Sequence, residues 1–288
     1  EYQPVADTTS YCQLHDVSVC WGNSRRFLKV AENRPFDSVD RPGGLESSNP
    51  AFGDLDGDGD LDLVVGDRNG GLYFFRNVGS VLPEFVGPKT GRANPFNGIA
   101  VSKHAAPVLA DLDGDGDLDL IVGENKGLSY YNNTGSARHP MFDRTGDTSL
   151  FSDAFGDDDL DYVPALADLD NDDDLDIIVG LKARISYLEN IGSATAPQFV
   201  FRTGDADPFD GIDFGEGMNP ALADVDNDGD LDLVVGDGGG LLKYYENIGS
   251  AELPSFVARE GSANPFDKVR ADSDCAPRFV DIDGGGLI

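Results

Sequence analysis

The chain has 288 residues, of which 53 are Asp or Glu and 21 are Lys or Arg, so its formal charge is −32 at neutral pH. Such a surface excludes nucleic acid and anionic membrane as partners. No apolar run reaches the roughly 18 residues that a membrane-spanning helix needs, and the start at Glu1 fits a processed secreted protein, extracellular or at the cell surface.

The first 48 residues do not repeat. Within them "HDVSVCWGNSRRFLKV", residues 15–30, reads as an alternating strand, a turn and a phenylalanine strand. Cys12 and Cys20 lie here, and Cys275 lies far away near the end of the chain. An odd count in a secreted protein implies one disulfide and one leftover thiol. A local Cys12–Cys20 bridge is the first expectation, and a bridge from either residue to Cys275 is the alternative.

From residue 49 the chain repeats. "DLDGDGDLDLVVGD" begins at Asp54 and returns in variant form at Asp111, Asp168 and Asp224, with a decayed copy, "DIDGGGLI", from Asp281; the spacings are 57, 57, 56 and 57 residues. A fixed period of this length marks one supersecondary unit stacked several times. The units run approximately 49–105, 106–162, 163–218 and 219–275.

Within each unit the elements come in the same order. A proline-containing strand ("NPAFG") precedes the acidic loop, and a short apolar run ("LDLVVG") follows it as a strand buried on both faces. An aromatic strand ("LYFFRN") comes next, then a short Pro-x-Phe strand ("PEFV") and a connection that has an N-P-F or D-P-F core in the first, third and fourth units. No window has helical periodicity. Four short strands per unit predict an all-β β-propeller of four-stranded blades. The last copy stops where a second strand should begin, so residues 276–288 with 1–48 are expected to form a fifth, closing blade; the alternative is part of a seven-bladed ring. Phe96, Phe209 and Phe266 of the connections read as blade-packing anchors rather than ligand contacts.

The acidic loops crowd like charges beside buried strands, which is costly without a cation among them. In D-x-D-x-D-G-x-x-D, carboxylates at positions 1, 3, 5 and 9 and the carbonyl of position 7 make an all-oxygen cage of the kind Ca2+ prefers. The sets are Asp54, Asp56, Asp58 and Asp62 with Asp60 through its carbonyl; Asp111, Asp113, Asp115 and Asp119 with Asp117; Asp168, Asp170, Asp172 and Asp176 with Asp174; and Asp224, Asp226, Asp228 and Asp232 with Asp230. That makes about four calcium sites. The third loop has Asp173 where the others have glycine at position 6, a residue that tolerates positive φ. The fifth copy has Gly285 in place of the third acid and is expected to bind no metal. "GDDDLD" at 156–161 is the best candidate for a further weak site, although solubility explains the surplus acid more simply.

The "DLDGDGDLDLVVG" repeat, with its aromatic strand and N-x-G-S turn, resembles the FG-GAP/VCBS repeat of integrin α-subunit propellers and of many secreted proteins. The resemblance implies a calcium-bearing propeller used for adhesion, for ligand or carbohydrate recognition, or as an appendage to a secreted enzyme.

No catalytic constellation can be drawn around His15, His104 and His139, so no enzyme is expected. The expected role is an adhesion, interaction or assembly module that binds a protein partner or its own copies. A lectin for extracellular glycans is the alternative, and the non-catalytic part of a polysaccharide-active enzyme is the second. Against the lectin, Trp21 is the only tryptophan, and Tyr73, Tyr130, Tyr131, Tyr187, Tyr244 and Tyr245 fall in strands where packing explains them. One sequon, Asn132-Asn133-Thr134, is placed by the repeat at an accessible turn and is a candidate for N-glycosylation.

Overall fold

The computed structural model describes residues 17–18, 48–79, 83–99, 101–144, 151, 160–271 and 274–281. After β1 (Val17–Ser18) come four antiparallel sheets of four strands, each in simple up-and-down order. The first holds β2 (Asn49–Gly53), β3 (Asp62–Gly66), β4 (Leu72–Asn77) and β5 (Phe85–Val86). The second holds β6 (Ala106–Ala110), β7 (Asp119–Glu124), β8 (Gly127–Asn133) and β9 (Phe142–Arg144). The third holds β10 (Val163–Ala167), β11 (Asp176–Gly180), β12 (Ile185–Asn190) and β13 (Phe199–Phe201). The fourth holds β14 (Asn219–Ala223), β15 (Asp232–Gly236), β16 (Leu242–Asn247) and β17 (Phe256–Arg259). Finally β18 (Phe279–Val280) pairs antiparallel with β1.

These sheets are the blades of a β-propeller. The register repeats from blade to blade, with Phe52 opposite Leu63, Leu109 opposite Leu120, Leu166 opposite Ile177 and Leu222 opposite Leu233. Each second strand is buried along almost its whole length, as its uninterrupted apolar run requires. First strands neighbour one another in sequence order, β2 against β6, β6 against β10, β10 against β14 and β14 against β18.

The core lies between blades rather than within one. Val64, Phe74 and Phe96 of the first blade pack with Leu120, Val122 and Tyr131 of the second. Ile178, Tyr187 and Phe209 of the third pack with Leu233, Val235 and Tyr245 of the fourth. Each such side chain stabilises by roughly 1.5–3 kcal/mol when fully buried, so an isolated blade would lose most of its burial.

The connections carry the anchors. Asn94 Oδ1 accepts the N–H of Phe96, and its Nδ2 donates to the Leu72 carbonyl at 3.2 Å. Phe96 is thereby turned into the seam, where it stacks on Phe142 of the next blade at 5.0 Å. Phe209 stacks on Phe256 at 5.2 Å in the same way, and Phe266 lies 6.1 Å from Phe279. The connecting phenylalanines are packing anchors, as the sequence suggested.

A second device holds neighbouring blades together. Gly66, Gly123, Gly180 and Gly236 lie at the ends of the second strands, and a Cβ on any of them would collide with a backbone carbonyl just ahead of the next first strand, those of Ala105, Tyr162, Met218 and Cys275. The fourth blade thus meets Cys275, ahead of β18, with the contact that the earlier blades make.

Cys275 is fully buried with a free thiol, and the other residues of either expected bridge are Cys12 and Cys20. Those two residues, the rest of segment 15–30, residues 156–159 and Gly285 lie outside the described residues.

Candidate metal centres

Each acidic loop joins the first and second strands of a blade and is shaped by its own carboxylates. Asp54 at position 1 accepts the N–H of Gly57 at 2.7 Å, of Asp58 at 3.2 Å and of Gly59 at 3.0 Å. Asp168 accepts those of Asp172 and Asp173, and Asp224 those of Asp228 and Gly229, all at 3.1 Å. At position 5, one oxygen of each of Asp58, Asp115, Asp172 and Asp228 accepts the N–H two residues on.

Position 6 has positive φ in every loop, 96° at Gly59, 93° at Gly116 and 101° at Gly229. Asp173 adopts φ 71° there, which the expected tolerance of aspartate allows. Position 4 is also left-handed, at Gly57, Gly114, Asn171 and Asn227. Only glycine and asparagine occur at it, a signal that was present in the sequence and passed over.

Three carboxylates converge in each loop, with ligand oxygens within 4.8 Å of one another. They are Asp54, Asp56 and Asp58; Asp111, Asp113 and Asp115; Asp168, Asp170 and Asp172; and Asp224, Asp226 and Asp232. In the fourth cluster Asp232 at position 9 takes the place of position 5; in the first three position 9 is not a member.

Asp62, Asp119, Asp176 and Asp232 are buried and begin the second strands. Asp176 accepts the N–H of Leu169 at 3.1 Å and of Asn190 at 2.8 Å, and the Tyr187 hydroxyl donates to it at 2.9 Å. Asp119 and Asp232 repeat the set with Asn133 and Tyr130 and with Asn247 and Tyr244. Asp62 has the two backbone bonds only, since Phe74 stands where the others have tyrosine. The position-9 aspartate therefore ties the loop to the third strand of its blade. Burial pushes the carboxyls of Asp62 and Asp176 up to about 7, against the pull of those hydrogen bonds.

The buried asparagines complete the tie. Asn77 Oδ1 accepts the N–H of Gly79 and of Glu84, and its Nδ2 donates to the Leu61 carbonyl inside the loop. Asn133, Asn190 and Asn247 hold the same N-x-G turn. This is what the N-x-G-S signature is for, a role the sequence alone did not reveal.

At position 7 the carboxyl oxygens Oδ1 of Asp117, Asp174 and Asp230 are buried and have no hydrogen-bond partner among the described residues, and neither has Oδ1 of Asp170 at position 3. Burial, and then the neighbouring aspartates, push Asp174 and Asp230 up to about 6. Buried, unpartnered carboxylate oxygens beside three converging acids suit a hard, oxygen-seeking cation. A cavity of about 270 Å3 between the second and third blades opens onto the same chemistry, lined by Asp111, Asp168, Asp173, Asp174 and Asn190 among others.

The sequon does not sit at a turn. Asn132 is within β8, half-buried, and its Nδ2, the atom a glycan would join, donates to Asp113 Oδ2 at 2.7 Å. Asn132 precedes Asn133, the last residue of that strand, as Arg76 precedes Asn77 in β4. Of the histidines, His104 Nδ1 lies 3.2 Å from Asp161 Oδ2, His139 is exposed, and His15 is outside the described residues. None of the six tyrosines is exposed. Among the described residues no helix is long and apolar enough to cross a membrane.

No curated protein sequence matches the chain. Among solved structures, it resembles an Agrocybe aegerita lectin that recognises non-reducing terminal N-acetylglucosamine, with 22% identity and a TM-score of 0.46 over 84% of this chain and 61% of the lectin. It also resembles a Photorhabdus luminescens Tc holotoxin pore, with 20% identity and a TM-score of 0.37 over 87% of this chain and 11% of that one. The chain thus spans less than two thirds of either. The FG-GAP-like repeat family matches residues 54–122, the stretch that holds the acidic loops at Asp54 and Asp111.

Proposed function

We propose that the chain is a calcium-stabilised, non-catalytic propeller that works outside the cell as an adhesion or assembly module. The observation that carries the reading is the recurrence of three converging carboxylates at one place in each of four blades. A residue repeated in every blade serves the scaffold, so the loops hold structure rather than perform chemistry. The bound ion would supply the positive charge that these acids lack. Positions 1 and 3, with position 5 in the first three loops and position 9 in the fourth, would hold it, and position 9 would pass its effect to the third strand.

Five blades close the ring in this reading. The pairing of Val17 with Val280 and of Ser18 with Phe279 brings the N-terminal segment to the last unit. That segment was expected to supply outer strands. Instead β1 bonds directly to β18, the partner that a second strand has in the other four units.

For a partner, the exposed large apolar side chains favour protein surfaces. Val78, Val86, Met141, Ile191, Ile248 and Leu253 all lie at the outer hairpins of their blades, spread around the rim. With the tyrosines engaged in packing, little aromatic surface is left for stacking a sugar.

The calcium half of the reading is tested by thermal unfolding with calcium and with EGTA. Each site contributes about 2.7 kcal/mol at a hundredfold excess of ion over Kd, so removal should lower the midpoint by many degrees; an unchanged midpoint sinks it. A glycan array run in calcium tests the role: binding to one sugar class turns the assignment to a lectin.

A further inference from the structure

The strand position just before the buried asparagine faces the loop of its own blade, and it changes from the first blade to the second and again to the third and fourth. It holds Arg76, Asn132, Glu189 and Glu246. Arg76 Nη2 donates to Asp58 Oδ2 at 3.0 Å, and its Nε contacts Asp56 Oδ2, so one guanidinium spans positions 3 and 5. Asn132 donates to Asp113 at position 3 of the second loop. Glu189 and Glu246 are acidic but each is clamped by an arginine of the outer strand, Arg202 at 2.6 and 2.7 Å and Arg259 at 2.7 and 2.9 Å.

A second position follows the same order. The Arg138 side chain, from the outer hairpin of the second blade, lies against Gly57 of the first loop. Thr195 lies against Gly114 of the second loop in the same way, and the matching residue of the fourth blade is Glu252. The surroundings thus run from two cations at the first loop to none at the second.

We infer that the Arg76 guanidinium is the resident cation of the first loop, so that calcium fills the other loops first and enters this one only by displacing it. The inference rests on the calcium reading and adds which loop differs and why. An arginine cannot shed its charge. Being tethered, it competes at high effective concentration whatever the calcium level. For calcium to bind here, a charge-assisted pair to two of the three converging acids must break, which weakens the site about tenfold to a hundredfold. The same pair keeps the calcium-free first loop from repelling itself.

The test uses calcium titration calorimetry on the whole chain, with Arg76→Asn, which makes the first blade like the second, and Asn132→Arg, which does the reverse. Arg76 has a 45% exposed side chain, so its replacement leaves the core intact. Wild type should show one site weaker than the rest; Arg76→Asn should bring it level, and Asn132→Arg should weaken a second. In EGTA, Arg76→Asn should also melt at lower temperature than wild type, a difference that disappears in calcium. Equal affinity at all sites in wild type, unchanged in both variants, overturns the inference and leaves the calcium reading standing. No calcium bound by any of the three proteins overturns both.

Discussion

The two ends of each blade are held together by opposite means. At one end the acidic loop meets the hairpin between third and fourth strands, and aspartates, asparagines and tyrosine hydroxyls form a hydrogen-bonded knot around unpartnered carboxylate oxygens. At the other end the connection to the next blade is closed by a phenylalanine stacked across the seam. The first end leaves carboxylate oxygens without a partner, and on the calcium reading a cation from solution completes it. The second needs nothing from outside the chain. On that reading one repeat combines a fold determinant that depends on conditions with one that does not.

The comparison is tested most strongly at the apolar end. Phe209 is buried against Tyr187, Phe214 and Phe256. Phe209→Ala should cost about 3–5 kcal/mol, and the loss should be the same in calcium and in EGTA. A loss that appears only when calcium is present would join the two ends into one system.

At the acidic end the sign itself should depend on the ion. Asp170 is held above the usual carboxylate range by burial first and then by Asp172. Asp170→Asn removes a ligand, so in calcium it should lower stability by up to about 2.7 kcal/mol at a hundredfold excess of ion. In EGTA it removes a repelling charge and should raise the melting temperature. Equal effects in both conditions would mean that Asp170 does not face an ion.

The smallest effect sharpens the apolar end. Asp207 stands where the other two connections have Asn94 and Asn264, each of which donates to a strand carbonyl, of Leu72 and Leu242 respectively. Burial pushes the Asp207 carboxyl up to about 6. Its folded pKa is raised, so its charge burdens the fold above about pH 6 and the burden vanishes below the unfolded value near 4. Asp207→Asn should therefore stabilise by about 1 kcal/mol at pH 7.5, with the advantage shrinking steadily toward pH 4 in urea unfolding. An advantage that stays constant with pH would remove burial of the charge as its cause.

Much of this was legible in the residues. Strand order, blade type and loop positions repeat four times, so accidental resemblance averages out, and the seam phenylalanines stand in the only constant part of otherwise varied connections. The left-handed turn at Asp173 followed from the chemistry of aspartate. What escaped notice depends on groups that pairing brings together. Asp176 reads as one more ligand until Asn190 and Tyr187 are laid beside it. Arg76 is 22 residues from Asp54 in the chain and reaches that loop only because β3 and β4 pair. The surroundings of the sequon depend on pairing too, since Asn132 meets Asp113 only because β7 and β8 pair.

The glycines that end the second strands have a consequence for the shape of the ring. Because Gly66, Gly123, Gly180 and Gly236 have no Cβ, the backbone just ahead of the next unit comes down directly onto them. That close approach helps to set the angle at which neighbouring blades meet. The wider the angle between neighbours, the fewer blades complete a circle, so a side chain at any of these glycines would push two units apart there and change the angle between them.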